Sequence, residues 1–148
     1  MEKLILMLIL ASTVIGCSGR QLTDNDHSQV AVFKAAGDIK FFKPMEGAPI
    51  QFGIAYGNTF ETDHGTLVIM PDNFETPLHT HSNAYHAIVI EGIVTNPMQG
   101  QNGKAREMGP GSYWFVPAGQ AHSTACVSDS ACKFYMHQQV PFDFAMVP

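Results

Sequence analysis

At 148 residues, 45% of them hydrophobic and 14% charged, the chain is long enough to bury roughly two thirds of its unfolded surface around one core. Thirteen acidic residues against eight basic give a net charge of −5. With no basic cluster in the sequence, this argues against nucleic acid as a partner and against electrostatic attachment to anionic lipid.

Met1-Glu2-Lys3 is a short charged start, Leu4–Ala11 is apolar, and Val14-Ile15-Gly16-Cys17 follows. An apolar run this short beside small residues reads as a secretory signal and cannot span a membrane by itself. The tetrapeptide resembles the lipobox of bacterial lipoproteins. That resemblance implies cleavage before Cys17, a diacylglycerol on its thiol and a second acyl group on its amine, the two-chain anchoring that makes membrane attachment stable. On this reading residues 1–16 are the signal, 17–29 are the lipidated cysteine and a polar tether, and 30–148 are the folded domain. Ser18 in place of aspartate points, by resemblance to other lipoproteins, to the outer membrane facing the periplasm.

The mature chain reads as a succession of short strands. Asp38–Phe42 suits an edge strand, Ile50–Tyr56 alternates loosely before the Gly57-Asn58 turn, and His64–Met70 is rich in β-branched residues. His64, at the start of that strand, reads as a surface or strand-end histidine. Phe74–His81 is extended, helped by Pro77, which disfavours helix for Thr76. Tyr85–Ile90 forms a strong strand ended by Gly92, and Ile93–Thr95 continues to Asn96-Pro97. Beyond the Gln99–Gly103 loop and the Gly109-Pro110-Gly111 turn come strands at Ser112–Val116, Ala121–Val127 and Lys133–Gln138. No stretch after the signal carries an amphipathic helix of ten residues or more. Short strands with glycine and proline turns predict an all-β sandwich or barrel.

Cys126 and Cys132 flank a short polar turn and could face each other across a hairpin, so a disulfide is expected in an exported protein. Two free thiols are the alternative. A zinc site is a weak third, because neither cysteine has a second ligand at close spacing.

Four of the seven histidines stand in strand-and-turn settings: His79, His81 and His86 at the entry to one apolar run, and His122 just after Pro117-Ala118-Gly119. Side chains two apart on a strand share a face, so His79 and His81 can ligate one centre. His86 can join them if the Ser82–Ala84 turn sets the register. Neutral imidazoles suit iron, zinc, copper or nickel, whereas magnesium and calcium prefer oxygen.

These residues resemble the two motifs of a cupin. The first motif of that family has two histidines one residue apart, then three or four residues, a glutamate and a later glycine; here it reads His79, His81, His86 and Gly92. The second reads Gly111, Pro117, Gly119, His122 and Cys126, with Cys126 where the family has asparagine. The resemblance implies a double-stranded β-helix, a jelly-roll-like barrel. It also implies a mononuclear centre with one divalent transition metal held by His79, His81, His86 and His122. Histidine in place of glutamate makes the ligand set neutral and weakens its preference for hard ions. The body, including Phe134–Phe144, also resembles small bacterial single-domain cupins of unassigned function, related in motif to the cupin sensor domain of certain anti-sigma factors.

Two uses of such a centre are expected. One is a metal-dependent dioxygenase, or a Lewis-acid enzyme, acting on a small organic substrate. The other is binding or sensing of a metal or small ligand without turnover. A barrel whose ligands have decayed is the structural alternative. His137 could line the same barrel as a hydrogen-bond donor to a ligand, or as an acid–base group. A homodimer through edge strands is a further expectation.

Overall fold

A computed structural model describes residues 31–148. The signal segment, Cys17 and the tether lie outside the described residues. Ten strands follow one another: β1 (Phe41–Phe42), β2 (Gln51–Gly57), β3 (His64–Met70), β4 (His79–Thr80), β5 (Tyr85–Glu91), β6 (Val94–Thr95), β7 (Tyr113–Val116), β8 (Ala125–Cys126), β9 (Cys132–Gln138) and β10 (Ala145–Met146). Six of them form an antiparallel sheet in the order β1-β2-β3-β9-β5-β7. Period-two alternation decides which face is inner. Along β9, Cys132, Phe134, Met136 and Gln138 are buried while Lys133, Tyr135 and His137 are not. Along β5, Tyr85, Ala87 and Val89 are buried and His86, Ile88 and Ile90 are exposed. Phe52, Val68, Met70, Trp114 and Val116 complete the inner face. Burying each large apolar side chain contributes about 1.5–3 kcal/mol.

The facing layer is broken into short ladders, β4 with β10 and β6 with β8. Single bridges at His79–His122, Glu75–Ala125, Val94–Met108 and Met98–His122 stitch it together. Prolines at 77, 97 and 117 have no N–H to give, so no long ladder can run through this layer. Val94 and Cys126 reach from it into the core cluster and close the barrel. The result is the expected all-β double-stranded β-helix, with no α-helix among the described residues. No described helix is long and apolar enough to cross a membrane.

The expected strands of the six-stranded sheet recur within a residue or two, except that Ala36–Asp38 is a 3₁₀ turn and only Phe41–Phe42 remains of the edge strand. Phe74–His81 and Ala121–Val127 are extended but only partly paired, and β10 is an addition to the expected set. Cys126 and Cys132 are joined in a disulfide with Cα atoms 5.6 Å apart. It brackets the β8–β9 turn beside Gly92. There, φ is +79° and a side chain would meet Cys132 Sγ at 2.7 Å, so glycine is required.

Candidate metal centre

His79 and His122 sit opposite each other in the facing layer, exchanging N–H···O bonds of 3.0 Å in both directions. Two residues on, His81 accepts at its carbonyl from the Gly119 N–H at 2.8 Å, so the Pro117–Gly119 turn is bonded to the strand that presents the first two histidines. Gly119 takes φ +71° to do this, a conformation that favours glycine at this motif position. Thr76 and Thr124 repeat the link on the far side, through Thr76 N–H to the Thr124 carbonyl and Thr124 N–H to Thr76 Oγ1, both 2.9 Å. The three imidazoles are thereby gathered at centroid distances of 4.3, 5.0 and 5.3 Å. One nitrogen from each lies within 4.8 Å of the other two, and the residues are 3%, 5% and 0% exposed for His79, His81 and His122.

The tautomers follow from the hydrogen bonds. Each Nδ1 faces a backbone carbonyl, of Pro77 for His79 (2.8 Å), of Asp143 for His81, and of Gln120 for His122 (2.9 Å). A carbonyl only accepts, so all three Nδ1 atoms carry the proton and all three Nε2 atoms present a lone pair. Burial reinforces this. It pushes His79 down to about 4, with the adjacent His122 and His81 also opposing a charge, and it lowers His81 and His122. Three neutral, oriented donors that avoid protonation fit a divalent transition ion.

Two aromatic systems frame the cluster. Tyr85 Oη–H donates to His122 Nε2 at 3.1 Å and accepts from Trp114 Nε1–H at 3.2 Å. Burial raises this phenol to about 12, so it keeps its proton at neutral pH. From the other side comes residues 142–147, a strap whose Val147 N–H bonds the Leu78 carbonyl. Phe144 stacks on His79 at 4.4 Å, Phe142 lies 5.1 Å from His81, and the Asp143 carboxylate accepts the Ser82 N–H at 2.9 Å. A cavity of about 50 Å³ remains, walled by His79, His81, Tyr85, Thr76, Thr124 and apolar side chains.

His86 does not join the cluster, which corrects the four-histidine expectation. It follows Tyr85 on β5, so the pleat turns it to the outer face, where it is exposed and its Nδ1 bonds Tyr113 Oη at 2.7 Å. His137 is corrected for the same reason. It pairs opposite His86 on the outer face and lies 3.6 Å from Asp63, not inside the barrel. Tyr85 occupies the inward position instead. Its signal was present in the sequence, since three residues lie between it and His81, the other spacing that the motif allows. His64 stands at the start of β3 and outside the cluster, as expected, but it is fully buried and not on the surface. Its Nδ1 bonds Thr66 Oγ1 at 2.9 Å, Thr66 bonds Thr59 at 2.7 Å, and Gln138, opposite His64, donates to the Asn83 carbonyl in the turn between His81 and Tyr85.

Residues 54–146 match the family described as Domain of unknown function (DUF4437). No curated protein matches the chain. Among solved structures, the polyketide cyclase RemF from Streptomyces resistomycificus is similar at 19% identity over 80% of this chain and 87% of that one, with a TM-score of 0.67. A cupin-2 domain protein from Rhodospirillum rubrum is similar at 13% identity over 80% of both chains, with a TM-score of 0.60. An RmlC-like cupin from Shewanella frigidimarina is similar at 16% identity over 74% of this chain and 92% of that one, with a TM-score of 0.56. At such identities the likeness is one of fold, the cupin double-stranded β-helix.

Proposed function

The chain belongs to the DUF4437 family, and from that premise we propose that it is a metal-dependent cupin that holds one divalent transition ion on His79, His81 and His122 and acts on a small organic molecule. The observation that carries this reading is the set of three buried imidazoles, each fixed at Nδ1 by a backbone carbonyl, with one nitrogen of each within 4.8 Å of the others. Three protein ligands leave positions open to a small molecule, as catalytic sites do, whereas closed structural sites use four. When bound, the ion supplies Lewis-acid polarisation or, if it is iron, copper or nickel, redox chemistry with dioxygen. The residues do the rest. With His122 Nε2 holding an ion, the Tyr85 hydroxyl that now bonds this nitrogen would be free to donate toward a ligand oxygen. The Trp114 N–H holds the Tyr85 hydroxyl oxygen in place, and Phe142, Phe144 and Met136 keep water out.

A second reading, a binding or sensing protein without turnover, is favoured by one observation: among the described residues, no carboxylate lines the histidine cavity to act as a base. Elemental analysis of protein purified without chelator or polyhistidine tag tests the centre, with about one equivalent of metal expected. Less than a tenth of an equivalent after offering iron, zinc, copper and nickel would remove it. Activity that survives in the zinc form would favour Lewis-acid chemistry, and loss of activity on zinc substitution would favour oxygen chemistry.

Export as a lipoprotein on Cys17 belongs to the same proposal. It is supported by the residue pattern of positions 1–17 and by the Cys126–Cys132 disulfide, a bond that persists in oxidising compartments. Mass spectrometry of the mature amino terminus should find a diacylated Cys17, and Cys17→Ser should move the protein to the soluble fraction. An unmodified cysteine would refute the anchor.

A further inference from the structure

Beside the histidine cavity lies a second space of about 180 Å³, and the two share Ile50, Phe52, Thr76, Phe142 and Phe144 in their walls. The second space adds methionine, proline, alanine and phenylalanine side chains, with Met45 and Met146 at its outer rim. Among the described residues, no acidic, basic or histidine side chain lines it. An enclosed apolar cavity of about 150 Å³ is enough to hold benzene. The histidine cavity, at about 50 Å³, has room for a head group of a few atoms only. Any larger ligand anchored there must extend elsewhere, and the shared wall gives the direction. Phe142 and Phe144 face both spaces, so rotation of two rings, without opening of the barrel, would join them.

We propose that this second space is the subsite for the apolar body of the ligand, which is an aliphatic or aromatic molecule of several carbons ending in one anionic oxygen group. The proposal rests on the metal centre inferred above, where the oxygen end would sit. The charge pattern selects the class. Three neutral ligands leave the ion's two positive charges uncompensated, which attracts a single anionic oxygen at the head. Nothing in either wall can pair a second charge, and an unpaired buried charge is too costly to tolerate. Sugar acids fit poorly, because their several hydroxyls would lie among apolar side chains with Thr76 as the one polar side chain of the second space, whereas carboxylates with hydrocarbon tails fit.

The test uses zinc-loaded protein carrying Cys17→Ser, which removes the expected lipid and the need for detergent. Calorimetric titration with acetate, butanoate, hexanoate and octanoate should show binding tightening by about tenfold for every two methylenes until the subsite fills. Metal-free protein should bind octanoate at least about 100-fold more weakly. Met45→Glu and Met146→Glu change side chains that are 53% and 62% exposed, so the fold survives them. Each should flatten the chain-length series and leave acetate affinity unchanged. Equal affinity for acetate and octanoate would overturn the subsite and leave the metal centre standing. If the protein takes up none of zinc, iron, copper and nickel, the centre falls separately, and the same series on metal-free protein decides the subsite. Tightening that Met146→Glu abolishes upholds it, and a flat series overturns it.

Discussion

The barrel carries histidines inside and outside, and the two sets differ in everything but residue type. Inside, His79, His81 and His122 are buried, each fixed at Nδ1 by a backbone carbonyl, with their free nitrogens converging. Outside, His86 and His137 are neighbours across paired strands, yet one bonds a tyrosine hydroxyl and the other faces a carboxylate in solvent. Proximity of imidazoles does not make a ligand set. What makes one is a carbonyl that fixes the tautomer, together with burial that disfavours the proton.

Breaking each set in turn should separate them. His81→Ala or His122→Ala should weaken metal binding by on the order of 100-fold or more, while His86→Ala and His137→Ala should leave elemental stoichiometry unchanged. Loss of metal in the His86 variant would restore a fourth ligand. The disulfide that brackets the β8–β9 turn, four residues beyond His122, comes next. Cys126→Ala with Cys132→Ala should cost about 2 kcal/mol, read from urea denaturation, because the closed loop is short. A pair of tyrosines sharpens the same contrast. Tyr85→Phe leaves the Trp114 N–H unsatisfied in the core and should cost about 1–2 kcal/mol, whereas Tyr113→Phe, on the outer face beside His86, should stay within about 0.5 kcal/mol.

The smallest effect is one of pH. Folded His79 takes a proton only near pH 4, while in the unfolded chain it does so near 6.5, so between these values the unfolded state binds more protons. Stability of the metal-free protein therefore rises with pH across that window and is lost as pH falls from 6.5 toward 4. Denaturation at pH 7.5 and 5.5 should differ by on the order of 1 kcal/mol. His79→Gln should reduce that difference, and a His86→Gln control should not.

The sequence revealed the fold through its alternation. His64–Met70 and Lys133–Gln138 read as strands because their period-two pattern is local, and the same rule placed His79 and His81 on one face. It failed for His86 because β5 is hydrophobic on both faces. With Ile88 and Ile90 exposed beside buried Ala87 and Val89, composition does not say which parity is inner. Only pairing with β9 and β7 fixes it, and that is a long-range fact. The strap was illegible for a related reason. Pro141–Val147 has no alternating pattern, and its structure comes from β4 and the His81 turn. The burial of His64 at the start of β3 was illegible because its partners, Thr66 and Thr59, announce nothing alone.

The bond between His81 and the Asp143 carbonyl joins residues 62 positions apart, and the Thr76–Thr124 links span 48. An unfolded chain therefore keeps only His79 and His81 as neighbours, and the full trio exists only after the most distant contacts have closed. Such contacts form late, since loop closure must precede any reward from them. Metal capture would thus be timed by the slowest step of folding. A chain that had stalled short of docking its strap would offer a two-histidine grip that releases an ion readily, so retention of an ion would act as a kinetic certificate that the barrel has closed.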